Sequence, residues 1–177
     1  MKRTGILMLA LAMMFGAGCD DDNNNPAGPS NTGPIVFSAQ LSAANEVPPI
    51  TNAESNARGS VTITFNVPRD SSGNVTGGGT ANFSMQAQGF AANTPIVGAH
   101  IHPGAAGVNG SVVVNTLLSA AAPLVLADGT GNLTVNNIAL SQDLATQITA
   151  NPGGYYFNMH TPLNPGGAIR GQLVRTQ

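Results

Sequence analysis

Val61-Thr-Ile-Thr-Phe-Asn66 sets three large apolar residues on one side of an extended chain and three polar residues on the other. A period of two is the mark of a strand with one buried face. The alternation recurs on both sides of this stretch. Ile35-Val-Phe37 opens a first strand, and Phe83, Met85 and Ala87 alternate with Ser84 and Gln86. Val97, Ala99 and Ile101 alternate with Gly98, His100 and His102. Tyr155, Phe157 and Met159 alternate with Tyr156, Asn158 and His160, and Ile169 and Leu173 flank Arg170 and Gln172. Val112 to Leu118, β-branched at its start, reads as another strand. Leu124 to Val135 reads as two strands joined through Asp128-Gly129. Asp70-Ser-Ser-Gly-Asn74 is a turn cluster. Short strands at this spacing predict an all-β fold, an antiparallel Greek-key sandwich or barrel.

One segment breaks the rhythm. Ser141 to Asn151 fits a short helix, with Ser141 as cap, Asp143 at the positive end of the dipole and Pro152-Gly153 as the stop. It is expected as a crossover before the last two strands.

The N-terminus carries a different message. Met1-Lys-Arg3 is basic, Ile6 to Phe15 is a short apolar run, and Gly16-Ala-Gly18 precede Cys19, the only cysteine. That is the layout of a secretory signal peptide, and its apolar run is too short to span a bilayer. The small residues directly before Cys19 resemble the lipobox of bacterial lipoproteins. The resemblance implies cleavage after residue 18, acylation of Cys19 (palmitate-type chains), and a lipid-anchored protein of the bacterial cell envelope, periplasmic or surface-exposed. An ordinary cleaved signal with an incidental cysteine is the alternative. Residues 19–34 include DDDNNNPAGPSNTGP, which has no apolar periodicity and reads as a disordered tether. Three consecutive aspartates without the EF-hand spacing do not make a calcium loop. The expected organisation is thus a signal over 1–18, a tether over 19–34 and one β domain over 35–177.

Composition narrows the function. Once Lys2 and Arg3 leave with the signal, four basic residues remain against eight acidic ones. There is no basic run to attract nucleic acid. Only 8% of the chain is charged, so Asn, Thr, Ser and Gly supply the polar surface. Glu46 and Glu54 are separated by turn residues and do not read as a glycosidase acid pair. Neither a Gly-x-Ser-x-Gly elbow nor a phosphate loop occurs.

The three histidines, His100, His102 and His160, fall at predicted strand ends. Alternation sets them, with Arg170, on the side opposite the large apolar residues, and so away from the core. A His-x-His pair on one strand face, completed by a histidine from another strand, suits copper or zinc. The competing reading makes His100, His102 and Asn158 hydrogen-bond anchors for the Pro/Gly loops that follow each strand.

Three motifs resemble the chordin-type (CHRD) domain family. They are Asn45-Glu-Val-Pro-Pro49 with Ala57-Arg-Gly59, Gly98-Ala-His-Ile-His-Pro-Gly104 with Asn109-Gly110, and Asn158-Met-His-Thr161 with Asn164-Pro-Gly-Gly-Ala-Ile-Arg-Gly-Gln-Leu173. Ala168 stands where that family often has Glu. The resemblance runs from about Val36 to Val174 and implies an extracellular, exported β domain. Its partners would be the membrane through the N-terminal lipid and a protein or surface ligand, with no nucleic acid. A second, weaker resemblance is to copper/zinc superoxide dismutases. It implies His100, His102 and His160 as copper ligands and Arg170 as the guide for a small anion. The bridging histidine, the zinc ligands and the disulfide pair of those enzymes have no counterpart here. The expected function is therefore a non-enzymatic binding or structural module without a cofactor. The alternative is a copper- or zinc-binding domain of dismutase type.

Overall fold

The computed structural model describes residues 33–177. The expected signal peptide, the expected acylation site Cys19 and the expected tether up to residue 32 lie outside the described residues.

The alternating segments become a three-strand meander. β1 (Ile35–Ser42), β2 (Arg58–Asn66) and β3 (Gly79–Gln88) run antiparallel. Their register lines up Phe37, Ile63 and Phe83 across the sheet, flanked by rows Ala39, Val61, Met85 and Ile35, Phe65, Ala81. All nine side chains are buried. Rows of this kind stabilise a sheet through side-chain contact as well as burial, at ~1.5–3 kcal/mol for each large apolar side chain removed from water. A one-residue slip would turn every row to solvent, so the apolar pattern holds the register.

The remaining elements, in chain order, are β4 (Thr94–Ile96), β5 (Gly98–Pro103), β6 (Val114–Asn115), β7 (Leu124–Leu126), β8 (Gly131–Leu140), α1 (Gln142–Ala150), β9 (Tyr155–His160), β10 (Ile169–Gln172) and β11 (Val174–Arg175). The main sheet has the order β6-β5-β9-β10-β1-β2-β3-β8, with β11 on β1, and every pairing is antiparallel. β6 and β8, at the two ends of this order, approach each other, so the sheet nearly closes into a barrel. Its long connections skip strands, from β3 to β5, from β6 back to β8, and from β8 through α1 to β9. These are Greek-key crossings. The helix lies where the sequence placed it. Ser141 caps it by accepting from Leu144 N–H, and Ala145 and Ile148 bury its inner face.

Two expected segments came out differently. Of Val112 to Leu118, only Val114–Asn115 pairs. Asn115 Oδ1 accepts the Leu117 N–H at 2.7 Å, and Leu117 sits at φ 68, a local turn that competes with the ladder. The two strands around Asp128-Gly129 form, but not as a hairpin. β7 pairs with β4 instead, and this small ladder buries Ile96 and Leu126 completely over the core. β8 also runs on to Leu140. Phe83 faces Val135 while Ala81 faces Ile138, so β8 carries one extra residue there, with Asn137 at φ 60.

Candidate functional site

β5, β9 and β10 are neighbours, and their second face carries the chemistry. Pairing sets Asn115, His100, Asn158, Arg170 and Ser42 in one row across β6, β5, β9, β10 and β1. A second row is His102, Tyr156 and Gln172, and His160 lies opposite Gly98. Alternation alone put the histidines and Arg170 on this face, and the register brings them together.

The face is only partly open to solvent, with His100 and His160 half-buried and His102 and Arg170 buried, which corrects the expectation of an outward-pointing set. His102 is 6% exposed and Arg170 1%. The loop between β5 and β6 folds back over them. Arg170 donates to Asn109 Oδ1 at 3.0 Å, to the Ala105 carbonyl at 3.0 Å and to the Val108 carbonyl at 2.8 Å. Its guanidinium carbon lies 3.4 Å from the centre of the Tyr156 ring, and the His102 ring stacks on Tyr156 at 4.8 Å, nearly parallel. Tyr156, on the middle strand, thus carries a cation–π contact from β10 and a stack from β5. So placed, Arg170 organises the 105–109 loop from within. Gln172 does the same beside it, donating to the carbonyls of Gly104, Gly153 and Tyr155.

The three histidines form one cluster, with a nitrogen from each lying within 4.8 Å of the others. His102 Nδ1 lies 2.9 Å from the Gly110 carbonyl and His160 Nδ1 3.0 Å from the Pro165 carbonyl. A carbonyl only accepts, so both Nδ1 atoms carry the proton and both Nε2 atoms a lone pair. These two bonds also pin the loops that follow β5 and β9; of the three anchors expected, His100, His102 and Asn158, only His102 bonds a loop carbonyl, and His160 is the second anchor. His102 Nε2 is buried and has no hydrogen-bond partner among the described residues. His160 Nε2 lies 3.0 Å from His100 Nδ1 and 3.0 Å from Asn158 Oδ1. Burial, followed by the mutual repulsion of the rings, brings His100 down to about 4. Burial also lowers His102 and His160, so all three are neutral near pH 7.

Beside Asn158 sits Glu46, 5% exposed. Burial raises its carboxyl to about 7, and the charge of Arg170 and a hydrogen bond from Asn158 only partly offset the rise. Its Oε1 has no hydrogen-bond partner among the described residues. The carboxyl packs on Gly167, where an added Cβ would lie 2.5 Å from Oε1, at φ 137. Glu54 is engaged elsewhere, accepting from Thr161 Oγ1 at 2.7 Å and from Asn164 Nδ2. Outside these residues the loops leave two clefts that share Glu46 and Val47. One, of ≈ 570 Å³, runs between residues 44–49 and Ala106-Gly107, with Gln172 at its wall. The other, of ≈ 340 Å³, lies among residues 46–52, Asn109 and 163–167.

Sequence reading missed the part played by Tyr156 and Asn109. Tyr156 shares the parity of Asn158 and His160, which was signal enough to place it on this face. Nothing local to Asn109 marks it as the partner of a residue 61 positions away.

These features define a barrel-like antiparallel β domain with a buried polar face under its loops. The chain belongs to the CHRD domain family, whose model matches residues 37–173. The match gives no support to the dismutase-type alternative. No curated protein matches the chain.

Proposed function

We propose that the chain is a lipid-anchored, non-enzymatic binding module of the bacterial cell envelope. It would recognise its ligand with the loops that meet over the β5-β9-β10 face. One observation carries this reading: the buried polar side chains of that face are invested in holding loop backbone. Arg170, Gln172, His102 and His160 all bond to loop or turn carbonyls. A rigid sheet that fixes loops around a cleft of ≈ 570 Å³ is the architecture of a recognition surface. The basic start, the short apolar run and the small residues before Cys19 support export and acylation. A single acyl chain binds a bilayer weakly, so stable anchoring requires more than one on Cys19.

The test is expression of the wild type and Cys19→Ser in a bacterium fed tritiated palmitate, followed by detergent phase separation. Wild type should carry label and enter the detergent phase, and Cys19→Ser should do neither. Wild type found unlabelled in the aqueous phase refutes the anchor.

A further inference from the structure

We propose that His100, His102 and His160 form a three-imidazole site for a single copper or zinc ion. The proposal names a ligand for the binding-module reading and rests on it in taking this face as a recognition surface. Its test is separate from that of the anchor, so either can fail alone.

Backbone geometry builds the site. His100 and His102 share one face of β5 because they are two residues apart, and β9 brings His160 opposite Gly98. A Cβ on Gly98 would lie 3.0 Å from His100 Cε1 and 3.4 Å from His160 Cδ2. The missing side chain is what lets the two rings meet, with centroids 4.8 Å apart.

Two of the rings are already set as ligands. Metal-bound histidines typically donate their second N–H to a carbonyl or carboxylate, which fixes tautomer and orientation. His102 does so to Gly110 and His160 to Pro165, and each is left with an Nε2 lone pair. The His102 lone pair is the second, independent sign. It belongs to a side chain more than nine-tenths buried, yet no donor among the described residues reaches it. A buried acceptor without a partner carries a cost of ~1–3 kcal/mol, and a cation removes it. His160 Nε2 faces the acceptor Asn158 Oδ1 at 3.0 Å and shares its lone pair only with His100 Nδ1, also at 3.0 Å.

Donor type selects the ion. Three neutral nitrogens without a carboxylate or thiolate among them suit zinc and copper, with copper(II) the tighter of the two. At a metal–nitrogen distance of about 2.0–2.1 Å, ligand nitrogens stand ~3.3 Å apart around a tetrahedral ion. His100 Nδ1 and His160 Nε2 are at 3.0 Å, and the set lies within 4.8 Å, so closure takes ring rotation together with the His100 proton on Nε2, which frees Nδ1 to ligate.

The experiment uses the full chain without a polyhistidine tag, in detergent and stripped with a chelator. Zinc(II) is titrated while the imidazole nitrogen resonances are followed by NMR, and copper(II) while its spin-resonance spectrum is recorded. The expected result is one ion per chain, copper before zinc. The Nε2 signals of His102 and His160 should move while their Nδ1 atoms stay protonated, and the copper spectrum should show nitrogen splitting. Calorimetry on folded His102→Gln should show affinity lower by about 100-fold, and Gly98→Ala, which keeps all three ligands, lower by about 10-fold. Three results would each overturn the site. They are binding that leaves the imidazole signals unmoved (an ion on Asp20–Asp22, for example), equal affinity in wild type and His102→Gln, or no wild-type binding below about 1 mM.

Discussion

Replacing Glu46 with Gln should stabilise the domain, and only above a definable pH. The carboxyl titrates at about 7 in the fold, against 4.5 as its ordinary value. A group whose folded value is raised favours folding while it is protonated and loses that advantage as pH rises. Below 4.5 both states of the chain hold the proton and nothing differs. Between 4.5 and 7 the unfolded chain releases it first, and stability falls. Above 7 the cost is complete. At ~1.4 kcal/mol per unit the rise is worth ~3 kcal/mol. Glu46 borders two clefts, and solvent screening there trims this to ~2 kcal/mol. Gln mimics the protonated acid in shape and charge, so Glu46→Gln should match wild type at pH 4.5 and exceed it by ~2 kcal/mol at pH 8–9. At this domain size that is a Tm difference of roughly 4–8 °C. The assay is urea denaturation of both proteins from pH 4.5 to 9 with a chelator present. The histidines titrate in both and cancel in the difference. Two parallel curves across that range would refute the argument that burial of this carboxyl raises its pKa.

Other substitutions probe the same face. Arg170→Ala leaves loop carbonyls and Glu46 without their cation and should cost about 3 kcal/mol or more by urea denaturation, with a larger loss at pH 9 than at pH 5. Limited proteolysis should then cut within residues 104–113, and an uncut loop would show that other contacts hold it. In Gly110→Ala the new Cβ would meet the Pro103 carbonyl at 1.8 Å. It should cost about 2–3 kcal/mol, checked by thermal melts, and a melt equal to wild type would mean the loop moves freely. The histidine values all lie below 6.5 in the fold, so the unfolded chain binds protons first and stability drops as pH falls from 6.5 toward 4. His100→Gln should flatten that acid limb, and an unchanged slope would place the titrating group elsewhere.

Much of this architecture was legible along the chain. Period-two alternation named the faces of β1, β2, β3, β5 and β9, because a strand sends neighbouring side chains to opposite sides whatever its partners. Ser141 and Pro152 marked the helix because capping is a matter of a few adjacent residues. Where local pattern competed with distant contacts, the reading failed. β7 abandons its neighbour β8 for β4, since that pairing buries Ile96 and Leu126, and no local signal reports what a distant strand offers.

The candidate site divides along the same line. Parity alone assigned His100, His102, His160 and Arg170 to one side of the chain, because side-chain direction in a strand is a property of the backbone. Their fate on that side was tertiary. Strand order set β9 between β5 and β10, which brings His160 to His100 across Gly98 and slides Tyr156 between Arg170 and His102. The β5–β6 loop then folded back, burying Arg170 and His102 while His100 and His160 stay half-buried. Burial is a property of what packs against a residue, and for Arg170 that is a loop some 60 positions earlier in the chain.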